Sequence, residues 1–183
     1  MRFKLLIIGI AIAIVATTIG ASGFTTATVE RQADINVTND NTGLLALEDG
    51  DEDQVFTNDD GELAIDMSNT TDADGLNPNA TFTFGDRSDP ENGFAFSITN
   101  NDDEDHEVAL NYTHDETSFK GGSENLNFSV YDADGNQQDS FTETDSSGDV
   151  SVKHEETVYV VLEVDTTDAT EDDDLDGTLN VTA

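Results

Sequence analysis

Three histidines, His106, His114 and His154, are the side chains of this 183-residue chain best suited to proton transfer or metal binding near neutral pH. The segment His154-Glu155-Glu156-Thr157-Val158 comes nearest to a zinc helix of the H-E-x-x-H type. That arrangement needs two imidazoles one helical turn apart with a glutamate base between them. Val158 occupies the second imidazole position, and the segment runs into an alternating, strand-like pattern that would separate the two positions. His106 and His114 lie on the margin of another such segment, and solvated surface imidazoles are the expectation for all three. There is no G-x-S-x-G elbow. The absence of cysteine excludes disulfides, thiolate metal sites and thiol nucleophiles. Among 41 carboxylates, nearness of any two says almost nothing about acid–base catalysis. The sequence therefore predicts no catalytic residue, no enzyme and no cofactor.

Two further patterns carry chemistry. Asp132-Ala133-Asp134-Gly135-Asn136 resembles a calcium loop, which makes Asp132, Asp134 and Asn136 weak calcium candidates. An EF-hand starting at Asp132 needs glycine at the sixth place, where Gln137 stands, although Glu143 falls at the twelfth. A hairpin turn explains Asp134-Gly135 without a metal. Six N-x-S/T sequons, at Asn36, Asn69, Asn79, Asn111, Asn127 and Asn180, are glycosylation candidates. By strand parity all but Asn69 lie opposite the apolar face.

The elements that would position these residues are strands. A period of two runs through Glu30 to Thr38, then Leu63, Ile65 and Met67, Phe82 with Phe84, Phe94, Phe96 and Ile98, and Val108, Leu110 and Tyr112. It continues at Leu126, Phe128 and Val130, at Val158, Val160, Leu162 and Val164, and at Leu179 with Val181. Clusters of Asp, Asn and Gly, such as Asn100 to Asp105, Asp132 to Asn136 and Asp145 to Asp149, punctuate them. The pattern predicts an all-β, two-layer antiparallel sandwich of about eight to ten strands, with any helix confined to a turn in Asp66 to Asn79 or Gln137 to Asp149.

Residues 1 to 23 read as a signal peptide: Arg2 and Lys4, an apolar run from Leu5, then Gly20, Ala21, Ser22 and Gly23. An uncleaved anchor is the alternative, and it is the one expected route to a membrane. Residues 24 to 183 then form a single β-sandwich domain, extracellular or at the cell surface. Against its carboxylates stand Arg31, Arg87, Lys120 and Lys153. Such a surface repels nucleic acid. Together with a patterned apolar core it indicates adaptation to strong salt, where screening reaches about 3 Å.

The stretch Gly23 to Arg31, Leu44-Leu45-Ala46-Leu47, Asn77-Pro78-Asn79 and Phe96-Ser97-Ile98-Thr99-Asn100 resemble a haloarchaeal family of secreted proteins of unknown function. So do Tyr159-Val160-Val161-Leu162, Val164-Asp165-Thr166 and the closing Gly177 to Ala183. That family is similar to the TasA and camelysin group. The resemblance implies a jelly-roll domain and two precedents: extracellular fibres in which an N-terminal strand passes into the next subunit, and a surface metallopeptidase.

The alternating segment Phe24 to Thr38 suits the first precedent, with Val29, Arg31, Ala33, Ile35 and Val37 on one face. It completes its own sheet or adds to another molecule's edge. The expected function is a secreted, salt-adapted structural or surface-matrix protein that self-associates or joins related surface proteins. A monomeric extracellular binding or adhesion domain is the alternative, and a camelysin-like metallopeptidase a remote third.

Overall fold

The alternating segments fold as antiparallel strands. In chain order the computed structural model gives β1 (Leu45–Asp49), β2 (Val55–Thr57), β3 (Leu63–Ile65), β4 (Thr81–Phe84), β5 (Phe96–Asn100) and β6 (His106–His114). These are followed by β7 (Leu126–Tyr131), β8 (Gln137–Thr142), β9 (Gly148–Val152), β10 (Thr157–Asp165) and β11 (Gly177–Thr182). The structure describes residues 39–67, 75–114, 125–145, 147–167 and 177–183. The signal segment, the assembly residues Val29, Arg31, Ala33, Ile35 and Val37, and the sequons at Asn36 and Asn69 lie outside them. The described residues all belong to one compact unit, Val37–Ala183.

Strand β10 is the spine, because its sequence alternates over the greatest length. One of its edges pairs with β7 along Tyr159–Val164. The other is shared end to end, with β5 on Thr157–Val160 and β4 on Leu162–Asp165. β1 lies beyond β5 and β8 beyond β7, which completes a six-stranded sheet. A second sheet has the order β11-β6-β9, and β2 pairs with β3 as a separate ribbon.

The two sheets share one core. The larger contributes Phe96, Ile98, Phe128, Val160 and Leu162, and the smaller Val108, Leu110, Val150 and Val152, all at 3% exposure or less. Each such side chain contributes on the order of 1.5–3 kcal/mol of transfer free energy. An aromatic column joins the layers: Phe128 stacks on Phe141 of β8 with centroids 4.8 Å apart, and Tyr112 of β6 tilts against it at 5.7 Å. Gly148 opens β9 where the Phe141 ring passes, and a Cβ there would lie 2.5 Å from the ring. This is the expected all-β sandwich.

Its details differ from the expectation at four places. The strands among the described residues number eleven rather than eight to ten. Gln137 to Asp149, expected as a connection, holds β8 and the start of β9. The one helical turn among the described residues is a 3-10 turn at Asp40–Thr42, outside both predicted connections. Phe94 also leaves the core stripe. Its neighbour Ala95 is fully buried in the core, whereas the Phe94 ring lies 5.3 Å from that of Tyr159, an outward position of β10.

The cause is an excursion between β4 and β5. Gly85 bridges to Phe94 and the Asp86 amide donates to the Gly93 carbonyl at 2.7 Å, closing a loop that interrupts one edge of β10. Arg87 ties the loop to Glu163 of β10 at 3.2 Å. Val161, an outward residue of the same strand, is fully buried although it is not part of the inner core. No helix among the described residues is long and apolar enough to cross a membrane.

Candidate functional site

A dense polar construction lies at one end of the sandwich, where the β5–β6 loop (101–105) meets the β9–β10 turn (153–156). Asn100 closes β5 there and is fully buried. A buried amide must find partners, and this one does. Its Nδ2 donates to the carbonyls of Glu104 at 2.7 Å and Val152 at 3.0 Å, and its Oδ1 accepts the Asp102 amide at 2.9 Å. Its main chain bonds Glu155 and Glu156. One side chain thus ties the larger sheet to β9 of the smaller.

Around this hub stand two of the three histidines. His106 Nε2 lies 2.7 Å from Asp102 Oδ2, and His154 Nδ1 lies 2.6 Å from the Asp102 carbonyl oxygen. The His154 amide donates to Asp105 Oδ1 at 3.0 Å, and its Nε2 is 3.8 Å from Glu155 Oε2. The Asp102 carbonyl bond is the main cause that raises the pKa of His154 above its ordinary 6.5; burial opposes it, and Glu155, Asp103 and Asp105 add to the rise. Hydrogen bonding to His106 is the main reason Asp102 titrates below its ordinary 3.8. Both imidazoles stay at the surface, His154 exposed and His106 half-buried, and both contact the same residue, Asp102. The side chain of His114 lies outside the described residues. No group of three or more His, Asp or Glu among the described residues is placed to hold a metal. The sequence signal for this site was the spacing of Asp102 and His106, four apart behind an acidic run.

The calcium candidates resolve into a turn. Asp132, Asp134 and Asn136 lie in the β7–β8 hairpin connection, with Gly135 at φ 79°. Asp132 Oδ1 accepts the amides of Asp134 at 3.0 Å and Asn136 at 2.8 Å, while Oδ2 accepts Gln138 Nε2 at 2.7 Å. The Asn136 amide is the chief cause of a lowered Asp132 pKa. These bonds occupy the carboxylate with protein donors. Glu143 stands at the far end of β8, a strand of six residues or roughly 20 Å of extended chain away. The EF-hand spacing therefore spans a hairpin and does not close on one ion.

Glu143 has another task. Its two carboxylate oxygens accept the amides of Asn125 and Leu126 as the chain enters β7. Both residues are buried, so Glu143→Ala would remove two hydrogen bonds from a buried strand entry. We expect a loss of about 1–3 kcal/mol in calcium-free buffer, read from urea unfolding at constant molar salt.

The sequons fall into different settings. Asn79 is exposed at φ 55°, in the turn before β4 and not on a strand as parity predicted. Asn111 of β6 and Asn180 of β11 face each other as cross-strand partners. Asn127 lies in β7 between Thr142 of β8 and Glu163 of β10. Thr166 joins two segments noted in the sequence: its buried hydroxyl accepts the Ala80 amide and has the carbonyls of Asn77, at 2.6 Å, and Ala80, at 2.9 Å, as acceptors for its one proton. Comparison with protein-family models, curated proteins and solved structures finds no match.

Proposed function

We propose that this chain is an exported, salt-adapted structural protein of the cell surface, whose N-terminal segment joins neighbouring copies by adding a strand to a sheet edge. The observation that carries this reading is the state of β11. It has one paired neighbour among the described residues, β6, and presents Leu179 and Val181 half-buried. Their cross-strand partners Tyr112 and Leu110 are buried. An edge with alternate apolar side chains offers main-chain hydrogen bonds and register to a further alternating strand. Val29, Ala33, Ile35 and Val37 supply that alternation in the sequence. The resemblance to the TasA and camelysin group supports the same assembly.

The test compares the chain from Phe24 with a truncation starting at Asn39, both in molar salt, by light scattering and electron microscopy. The longer chain is expected to form threads and the shorter one to remain a folded monomer. A longer chain that stays monomeric at high concentration overturns strand addition and leaves a monomeric binding or adhesion domain.

A further inference from the structure

We propose that His106 and His154 form a protonation-gated clasp, which fastens the β5–β6 loop to the β9–β10 turn and loosens as the imidazoles lose their protons. The inference is independent of the assembly reading. It rests on three contacts that meet at one loop: His106 on the Asp102 carboxylate, the His154 ring on the Asp102 carbonyl, and the His154 amide on Asp105.

The charges packed around the rings explain why protons matter. The loop contributes Asp102, Asp103, Glu104 and Asp105, the turn contributes Glu155 and Glu156, and Glu107 follows His106 on β6. The cation in the turn, Lys153, lies 3.6 Å from Glu156. Protonated imidazoles thus supply the positive charge that holds a run of four like charges in one conformation. A neutral ring still donates one hydrogen bond at each contact; the His106 bond keeps the charge of the Asp102 carboxylate, whereas the His154 bond to the Asp102 carbonyl loses its charge assistance, which roughly halves its strength.

Two limits bound the clasp. His154 titrates above 6.5, so its contribution is complete below that pH and is lost as pH rises through the raised value. Asp102 titrates below 3.8, so its contribution is complete above that pH and is lost as pH falls through the lowered value. The His154 and Asp102 contributions are therefore both complete from about pH 3.8 to about 6.5, and the His154 contribution weakens in alkali.

Amide hydrogen exchange on the full mature chain in molar salt, corrected for intrinsic rates, reads the clasp directly. Between pH 5.5 and 8.5 the Asp102 and His154 amides are expected to open roughly fivefold more often, while the Phe128 and Val160 amides stay unchanged. The double variant His106→Gln, His154→Gln should remove that dependence, and the single variants apportion it between the two rings. Loop protection that is flat with pH in the wild-type chain, or a pH dependence that persists in the double variant, overturns the proposal. A rise in core opening that matches the loop also overturns it, because the event would then be global.

Discussion

Phe128→Ala is expected to remove about 3–5 kcal/mol of stability, the largest loss for any single side-chain truncation in the described core. The ring is fully buried at the centre of the aromatic column, stacked on Phe141 and tilted against Tyr112, so both sheets lose contacts at once. Its strand is flanked on both sides, by β10 and β8, which limits how far the backbone can relax into the cavity. Urea unfolding at fixed molar salt would register the change as a lower midpoint with an unchanged slope. Phe94→Ala is the informative control. Phe94 is half-buried against Tyr159 outside the core, and its loss should cost less than half as much. Equal costs at the two sites would mean that the larger sheet's inner face is not the principal core.

The contrast between these two phenylalanines also shows how far alternation can be read. Strands β6, β7 and β10 were legible because three or more apolar residues at alternate positions point into one layer. Phe94 shares that parity with Phe96 and Ile98, yet the excursion closed by Gly85 and Phe94 shifts the count, so that Ala95 turns inward. Periodicity does not report such a shift. Strands β8 and β9 were not legible for a different reason. β8 has Phe141 as its single large apolar residue and β9 has Val150 and Val152, since edge strands with little inward surface need few apolar positions.

The polar end of the sandwich was legible only in part. An acidic run beside a histidine was visible in the sequence, and so was the broken zinc pattern at His154. Their meeting was not, because it depends on β9 and β10 returning the chain 52 residues later to the loop that holds Asp102. The Asp132 turn was read correctly as punctuation, and its local hydrogen bonds need no distant partner. Glu143 shows the converse. Its place in a linear calcium pattern carried no information, since an intervening strand moves it to the opposite end of the hairpin.

Withdrawing salt is expected to unfold the protein, an effect larger than any single substitution outside the core. After residue 23 the sequence sets 41 carboxylates against four cations, and among the described residues Arg87 and Lys153 each pair with one glutamate. Such exposed pairs contribute little, so most of the repulsion is left to the solvent to screen. The screening length grows from about 3 Å at 1 M to about 30 Å at 0.01 M ionic strength, and carboxylates across a whole face then act on one another. Near-ultraviolet circular dichroism should lose its signal on dialysis to about 10 mM salt at pH 7. Returning the low-salt sample to pH near 4, where ordinary carboxylates are about half protonated, should restore much of the signal. Asp86, Asp102, Asp132 and Asp165 titrate below 3.8 and would keep their hydrogen bonds at that pH, so acid removes repulsion before it removes structure. A melt unchanged between low and molar salt would sink the account. Unfolding without acid rescue would also count against it, since it would place the salt requirement in specific ion binding rather than in the summed field of the surface.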